Sequence, residues 1–333
     1  MAEWGIYGGS GFIGQHLAFS ILSRCSGDRV YCLDIQSPKE AGWKSPIAPF
    51  IGAGRLSYVK TDVRNRTQML ESARSFDVIV NLAAIHREPG HKPEEYFETN
   101  VEGARNVCRV ADSVGCGQMI FTSSISVYGI HDRAVDEHTP PEPKTPYGQS
   151  KLQAEQIQAE WAEESGGRLS IIRPGVVFGP GENGNVTRLV RETLRLKRQI
   201  RISPDQPKAG IYIEELLEVI HWLREQCPPA GHHDLVNGVS DENLTFNAHG
   251  EVLQELMNFG RRPFVVPETL LRLASTMSAP LGWMLGSGSK FHPERLAKLT
   301  RPNDIRPAGL VSRGYPFTWS LEKAMNDWLE KGL

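Results

Sequence analysis

The stretch that decides the fold is Gly8-Gly9-Ser10-Gly11-Phe12-Ile13-Gly14, which follows an apolar run at 4–7 and opens an amphipathic segment at 12–22. It therefore predicts a tight turn from a strand into a helix. Gly8 permits the turn, Gly11 lets the backbone approach a pyrophosphate, and Gly14 lets helix and strand pack closely. The helix N-terminus offers N–H groups to phosphates, and we expect Phe12 and Ile13 to join the glycines there.

Outside this turn, short apolar runs alternate with helix-like segments through the first half of the chain. The strand-like runs lie at 4–7, 30–33, 56–59, 78–82, 119–122 and 169–172, and the helix-like stretches include 12–22, 68–73, 94–114 and 147–165. This alternation predicts an α/β fold with a Rossmann-like, doubly wound parallel sheet, which binds ligands at the carboxyl ends of its strands.

The rhythm changes after residue 173, where Gly, Pro and Asn cluster through 185. We therefore expect a dinucleotide-binding Rossmann domain at 1–173 and a smaller C-terminal α/β substrate-binding lobe at 174–333. Parts of 209–240 are expected to return to the Rossmann domain, because 211–222 and 235–239 again read as apolar elements.

Composition excludes several classes of protein. The chain has 333 residues, 40% of them hydrophobic, and a formal net charge of −2, so no global basic field exists to hold nucleic acid. Five scattered cysteines without a CxxC pair indicate neither a disulfide framework nor a metal site. No signal peptide and no integral membrane segment are expected, which favours a cytoplasmic protein. The apolar stretch 270–285 is interrupted and short; a lid, a packed helix and a surface-binding helix stay open.

An acid at the end of the second strand indicates which dinucleotide is bound. Asp34 lies twenty residues after Gly14, where a carboxylate accepts hydrogen bonds from the ribose hydroxyls and repels a 2′-phosphate. This favours NAD over NADP. Further cofactor contacts are expected at the ends of later strands, where small or polar residues allow close approach: Asp62, Val63, Leu82, Ala83, Ala84, Thr122 and Pro174.

Three further residues predict the chemistry. Ser124 ends the fifth strand, and Tyr147 and Lys151 lie at i and i+4 on one helix face. A neighbouring ammonium and an oxidised nicotinamide both favour the phenolate form of a tyrosine, whose ordinary pKa is about 10. We therefore expect Tyr147 to take a proton from a substrate hydroxyl while hydride leaves the same carbon. Ser124 would hold the substrate oxygen, and Tyr147 and Lys151 would also contact the cofactor.

Taken in order, these motifs resemble the extended short-chain dehydrogenase/reductase family, in particular its nucleotide-sugar epimerases and reductases. The resemblance rests on 121–129, 99–103, the Tyr147-Gly148-Gln149-Ser150-Lys151 signature, 173–180 and 314–322. It covers nearly the whole chain and is looser beyond about residue 185. It implies an NAD-dependent enzyme, a role for Asn100 at the cofactor site, and a homodimer through the helices at 94–114 and 147–165.

The residues after Ser124 separate the reactions of this family. Its 4,6-dehydratases carry an Asp-Glu pair where Ile125 and Ser126 stand here, and the glutamate of its decarboxylases and the cysteine of its 3,5-epimerase/reductases are missing. The resemblance therefore implies 4-epimerisation, in which NAD takes the C4 hydride and a 4-keto sugar rotates before hydride returns to its other face. An NAD(P)-dependent reductase or dehydrogenase of a 4-keto nucleotide sugar or other secondary alcohol stays open. So does a non-catalytic dinucleotide-binding sensor.

The substrate is expected to be a nucleotide sugar, with a UDP-sugar as first candidate. Its expected contacts are His86, Ser124, Ser126, Asn185 and Lys208. Lys208 keeps the positive charge that relatives place near the pyrophosphate, but it lacks the guanidinium group with which their arginine can bind phosphate bidentately. Val176 stands where many epimerases have a substrate-binding asparagine.

One feature falls outside this scheme. Four arginines repeat at helical spacing and predict one basic helix face: Arg188, Arg191, Arg195 and Arg198. Such faces are usually solvated; phosphate and an anionic membrane are the alternative partners.

Overall fold

The computed structural model describes residues 1–43, 47–88, 90–267, 269–270, 273 and 302–332. Its strands are β1 (Glu3–Tyr7), β2 (Arg29–Asp34), β3 (Leu56–Lys60), β4 (Val78–Asn81), β5 (Gln118–Thr122), β6 (Arg168–Pro174), β7 (Val176–Phe178), β8 (Ile200–Ser203), β9 (Gly210–Tyr212), β10 (His232–Gly238) and β11 (Phe264–Pro267).

The helices follow in the same order along the chain. They are α1 (Phe12–Arg24), α2 (Ala48–Gly52), α3 (Arg66–Glu71), α4 (Pro93–Tyr96), α5 (Glu102–Val114), α6 (Pro146–Ser165), α7 (Asn185–Leu196), α8 (Ile213–Glu225), α9 (Phe246–Leu256), α10 (Ala308–Ser312) and α11 (Leu321–Lys331). A π-helical turn (Phe97–Val101) joins α4 to α5, and a 3₁₀ turn (Ile125–Tyr128) follows β5.

The central sheet has seven strands among the described residues, in the order β10-β6-β5-β4-β1-β2-β3, and every pairing in it is parallel. Apolar side chains cover both faces, because residues alternate along each strand. Trp4 and Ile6 of β1 face one core with Val30, whereas Tyr7 faces the other core with Leu33. The predicted doubly wound, Rossmann-like α/β fold is confirmed.

The helix predicted at 94–114 is continuous in the structure, but its hydrogen-bonding repeat changes along its length. It divides into α4, the π-helical turn and α5. A π turn adds a residue to the helical repeat and changes the direction of the side chains that follow it. Here the turn contains Asn100, which is buried.

The second half of the chain forms the lobe and also contributes to the central sheet. Two small parallel pairs, β7 with β9 and β8 with β11, lie in the lobe, and α7 packs against α9. Residues 232–238 run as β10 beside β6 at the edge of the central sheet, within the range expected to return there. Most of the apolar stretch 270–285 lies outside the described residues. None of the helices in the described part of the chain is long and apolar enough to span a bilayer.

Candidate active site

The glycine-rich loop is tightly packed on one side and open on the other. Gly8 has a φ of +75°, which favours glycine. A Cβ on Gly14 would lie 2.5 Å from the Gly8 carbonyl oxygen and 2.6 Å from that of Gly9, so only glycine fits between α1 and the loop. A Cβ on Gly11 would meet only the Gly8 carbonyl oxygen, at 3.2 Å. The side of Gly11 is therefore free for a ligand group beside the N-terminus of α1.

Asp34 lies directly against this loop. Its Oδ2 accepts a hydrogen bond from the Ser10 backbone N–H at 3.0 Å, and its Oδ1 accepts one from the Gln36 N–H at 3.0 Å. The carboxylate thus stands at the carboxyl end of β2 with a fixed orientation, as expected for a group that binds ribose hydroxyls.

A tryptophan that the sequence did not single out binds the carbonyl group of the same residue, Ser10. Trp43 Nε1 donates to the Ser10 carbonyl oxygen at 3.1 Å, and the Tyr58 hydroxyl donates to the Asp34 carbonyl oxygen at 3.1 Å. A cavity of about 510 Å³ lies between Trp43 and Tyr58. The signal in the sequence was a lone tryptophan in the segment after β2, but nothing local relates it to Ser10.

The ends of β3 and β4 complete the surroundings of the loop. The backbone of Leu82 and Ala83 lies against Gly8, since a Cβ on Gly8 would approach the Ala83 nitrogen to 2.8 Å. Val63 is buried, whereas the Asp62 carboxylate accepts bonds from the Arg64 side chain at 2.7 to 3.1 Å. The Arg64 guanidinium lowers the pKa of Asp62. Ala84 follows in the same loop, and adenine contact by Asp62 or Val63 remains a prediction.

Asn100, which we expect at the cofactor site, links two segments of the protein, and its contact with the cofactor remains a prediction. Its amide nitrogen donates to the Ser150 hydroxyl at 2.8 Å and to the Ile85 carbonyl oxygen at 3.1 Å, and its oxygen accepts from the Ile85 N–H at 2.9 Å. The π-helical turn thus ties the loop after β4 to α6, because its added residue brings Asn100 inward. Asn100 positions the helix that carries Tyr147 and Lys151.

The structure brings Ser124 and Tyr147 into contact. The Ser124 hydroxyl lies near enough to the Tyr147 phenol to lower its pKa by hydrogen bonding, and Ser124 Oγ accepts from the Ser126 N–H at 3.1 Å. Thr145 caps α6 by accepting from the Gly148 N–H at 3.2 Å, and a Cβ on Gly148 would lie 2.6 Å from the Ser126 carbonyl oxygen. Glycine at 148 therefore lets the start of α6 reach the turn after β5.

Burial dominates the electrostatics of the predicted catalytic pair, Tyr147 and Lys151. It raises the pKa of Tyr147 to about 12, against the lowering effect of the Ser124 hydrogen bond. It also lowers the pKa of Lys151 to about 7, against the charge of Glu155. Lys151 is 2% exposed, and its Nζ lies 4.3 Å from the centre of the Phe121 ring. In the protein alone, desolvation therefore sets the tyrosine pKa, and its lowering by the lysine together with bound NAD remains a prediction.

A buried ion pair lies one turn beyond Lys151 on α6. Glu155 accepts from Arg173 Nε at 2.9 Å and from its Nη2 at 2.7 Å, and both side chains are 6% exposed. The guanidinium of Arg173 lies 4.7 Å from the centre of the Tyr128 ring, and the Tyr128 hydroxyl donates to Asn237 Oδ1 at 2.8 Å. This network joins α6, β6, the 3₁₀ turn and β10.

The residues present fit a dinucleotide. Ser10 Oγ in the glycine-rich loop, Asn81 Oδ1 at the end of β4 and Ser123 Oγ after β5 are buried without a hydrogen-bond partner. Buried polar atoms ordinarily have partners, so these three atoms and the open side of Gly11 leave room for a polar ligand. Thr122 Oγ1, by contrast, donates to the Asn81 carbonyl oxygen at 3.3 Å. Within the described ranges no group of three or more metal-ligating side chains occurs.

The predicted substrate residues divide into two groups. Ser126 lies in the turn beside Ser124. Desolvation lowers the pKa of His86, and the positive charge of Lys151 adds to this effect. Ser126 and His86 therefore lie near the predicted catalytic pair. Asn185, the exposed first residue of α7, and Lys208, paired with Asn303, lie on the lobe. Pro174 ends β6, at the boundary predicted between the Rossmann domain and the lobe. Substrate contact by these residues remains a prediction.

Comparison with known proteins agrees with this geometry. Residues 4–237 match the NAD dependent epimerase/dehydratase family. The N-acetyl-alpha-D-glucosaminyl-diphospho-ditrans,octacis-undecaprenol 4-epimerase of Escherichia coli O157:H7 is 27% identical over 271 residues, which are 81% of each chain. UDP-glucose 4-epimerase 4 of Oryza sativa subsp. japonica is 32% identical over 159 residues, 46% of this chain and 42% of the relative.

A solved structure extends the likeness to the whole chain. UDP-glucuronic acid 4-epimerase from Bacillus cereus, in complex with NAD, superposes with a TM-score of 0.72 over 99% of this chain and 96% of its own, at 19% identity. At that identity the likeness shows the fold. The predicted NAD cofactor and the predicted NAD-dependent epimerase of the extended short-chain dehydrogenase/reductase type are confirmed. The chain belongs to the NAD-dependent epimerase/dehydratase family.

Proposed function

We propose that this enzyme is an NAD-dependent 4-epimerase of a sugar carried on a diphosphate, with a nucleotide sugar as substrate. The observation that carries the proposal is the placement of Ser124 beside the Tyr147 phenol, whose pKa it lowers, one helical turn before the buried Lys151. It lies at the carboxyl ends of strands in the same sheet whose glycine-rich loop fits a dinucleotide.

Tyr147, Ser124 and Lys151 have different roles in the transfer of one proton. Bound NAD would supply a hydride acceptor and, in the return step, a hydride donor. Tyr147 takes the proton of the C4 hydroxyl and later returns it, while the Ser124 hydroxyl orients the sugar oxygen. Lys151 contributes positive charge to a dry site, where one charge acts strongly on a phenolate. Return of the hydride to the opposite face of the sugar carbon would give the C4 epimer.

The turn after β5 favours this reaction over dehydration. Elimination of water across C5 and C6 needs an acid and a base beside the serine, and Ile125 and Ser126 stand there. Ile125 is buried, and the Ser126 N–H is engaged by Ser124. Neither residue can exchange a proton as a carboxyl group does.

A second substrate class is favoured by one of the relatives. The Escherichia coli epimerase that aligns with 81% of both chains is named for an N-acetylglucosaminyl diphosphate on undecaprenol. Val176, which is 46% exposed, and Lys208 also depart from the nucleotide-sugar pattern. A polyprenyl diphosphate N-acetylhexosamine is therefore the alternative substrate.

The test is an incubation of purified protein with UDP-glucose, UDP-glucuronic acid, UDP-N-acetylglucosamine and a short polyprenyl diphosphate N-acetylglucosamine, each without added NAD. We expect a C4 epimer from one substrate class, detected by proton NMR, with no net change in NADH absorbance. Tyr147→Phe should lower turnover by about 10²–10⁴-fold, the usual contribution of a positioned acid–base group.

One control variant and two alternative outcomes complete the test. Tyr31→Phe alters a tyrosine on β2 outside the site and should leave turnover unchanged. Net production or consumption of NADH would instead indicate a reductase or dehydrogenase. Bound NAD without turnover on any of the four substrates would support the sensor. The expected homodimer and cytoplasmic location belong to this proposal and are tested by light scattering and cell fractionation.

A further inference from the structure

A surface at the end of α7 is separate from the candidate active site. Arg261 Nη1 donates to the carbonyl oxygen of Leu196, the last residue of α7, at 3.2 Å. The Phe264 N–H donates to the Gln199 carbonyl oxygen at 2.8 Å, and β11 then pairs in parallel with β8. Residues 261–265 are therefore held beside the C-terminal turn of α7. Asn185 lies at the opposite end of this 12-residue helix, roughly 18 Å away at 1.5 Å per residue.

This surface is positively charged although the chain is not. Residues 185–203 contain six basic side chains and one acidic side chain, whereas the whole chain has a net charge of −2. Arg195 pairs with Glu192 at 2.6 Å, and Arg201 pairs with Glu251 at 3.2 Å. In the described part of the chain, four other basic residues here have no carboxylate in ion-pair contact: Lys197, Arg198, Arg261 and Arg262.

Large apolar side chains stand beside these charges and face water. Phe264 is 52% exposed and Val265 is 51% exposed, and shortly after them Leu270 and Leu273 are 54% and 56% exposed. These are four of the twelve exposed large apolar residues among those described, within ten positions of the chain. Scattered exposed apolar residues are ordinary, whereas a cluster beside unpaired charges indicates a binding surface. The basic-apolar surface comprises Lys197, Arg198, Arg261, Arg262, Phe264 and Val265.

We propose that the basic-apolar surface docks the protein on an anionic lipid membrane. Arginine and lysine side chains attract acidic lipid headgroups, and neighbouring apolar side chains enter the boundary between headgroups and acyl chains. Nucleic acid fits less well, because the exposed apolar side chains of Phe264 and Val265 have no apolar phase to enter against a phosphate backbone. Docking does not depend on which sugar the active site takes, so it stands or falls separately from the proposed function.

The test is co-sedimentation of the full-length protein with vesicles of phosphatidylcholine alone and of phosphatidylcholine mixed with phosphatidylglycerol. We expect binding to the mixed vesicles, little binding to phosphatidylcholine alone, and weaker binding as salt is raised. The charge-reversing pair Arg261→Glu/Arg262→Glu should weaken binding at least about tenfold, because each charge near an anionic surface changes affinity about fivefold. Phe264→Ser/Val265→Ser should weaken it as well.

Matched controls use residues elsewhere on the surface. Arg66→Glu/Arg74→Glu reverses two exposed charges, and Val311→Ser/Ile130→Ser removes two apolar side chains that are 58% and 55% exposed. Both controls should bind vesicles as the unchanged protein does. Bound NAD and the thermal unfolding midpoint of every variant show whether it is folded.

Several results would overturn the proposal. Equal binding to both kinds of vesicle, no binding at low salt, or equal losses in the surface variants and the controls would each do so. A dimer that becomes monomeric only in the surface variants, without vesicle binding, would show that the surface joins two copies of this chain instead.

Discussion

Arg173 forms a bidentate ion pair with Glu155, with N–O distances of 2.9 and 2.7 Å. Glu155 lies four residues after the buried Lys151 on the same helix. The glutamate raises the pKa of Lys151, and the arginine in turn neutralises and orients the glutamate. The ion pair connects β6 to the helix that carries the catalytic residues. Its position follows from the i+4 repeat, which places Tyr147, Lys151 and Glu155 along one face of α6.

Removal of this arginine should be costly. In Arg173→Met the Glu155 carboxylate loses its partner inside the protein, and we expect the free energy of unfolding to fall by about 3–5 kcal/mol in urea denaturation. The double variant Arg173→Met/Glu155→Gln should recover part of that loss. The exposed pair Arg195–Glu192, with side chains 67% and 48% exposed, provides the control. Arg195→Met should cost less than about 1 kcal/mol. Similar losses at the two sites would contradict the role of burial.

Lys151 should make stability depend on pH. Its pKa is about 7 in the folded protein and about 10.4 in an unfolded chain. Between these values the unfolded state binds more protons, so the free energy of unfolding rises with pH by up to ~1.4 kcal/mol per unit. We expect this rise in NAD-stripped protein and its loss in Lys151→Met. Lys144→Met, at an exposed lysine, should keep it. Parallel pH curves for the protein and Lys151→Met would argue against a lowered pKa.

Ser124 and Ser123 should differ in their effect on the reaction. Ser124 lowers the pKa of Tyr147 through a hydrogen bond, whereas Ser123 Oγ has no partner. Ser124→Ala should reduce kcat by about a hundredfold. It should also move the acidic limb of the pH–rate profile to higher pH, because the tyrosine pKa rises. Ser123→Ala should leave that limb in place. An unshifted limb in Ser124→Ala would show that the serine does not act on the tyrosine.

Trp43 should contribute to NAD affinity through the glycine-rich loop. Trp43→Phe removes the indole N–H that holds the Ser10 carbonyl oxygen at 3.1 Å. A loss of ~1 kcal/mol, the usual worth of one such bond, would raise the Kd for NAD about fivefold in calorimetry. Trp161→Phe removes a similar bond, to Asp112 Oδ1 at 2.7 Å, far along the chain from the loop. It should leave the Kd unchanged, and an equal change in both variants would count against a local effect.

Two glycines of the loop should respond differently to alanine. Gly14→Ala places a Cβ 2.5 Å from the Gly8 carbonyl oxygen, and such overpacking against backbone should destabilise the fold by about 1–3 kcal/mol. Gly11→Ala meets only one atom, at 3.2 Å, so its thermal unfolding should change little. Its Cβ would instead enter the space proposed for the dinucleotide, and we expect weaker NAD binding. Normal NAD affinity in folded Gly11→Ala would place the pyrophosphate elsewhere.

The sequence by itself determined the features that depend on neighbouring residues. Alternating apolar runs and helical repeats predicted the parallel sheet, because side chains repeat every two residues in a strand and every 3.6 in a helix. The glycine spacing, the acid at 34 and the i+4 relation of Tyr147 and Lys151 predicted the cofactor site and the chemistry for the same local reason.

Only the tertiary structure decided the contacts between distant segments. Trp43 meets Ser10 across 33 positions, Asn100 meets Ser150 across 50, and Tyr128 meets Asn237 across 109. Burial, which no local pattern reports, raises the pKa of Tyr147 and lowers that of Lys151 in the protein alone. Local spacing defines which groups share a face, whereas packing of the whole chain determines their solvation and their partners.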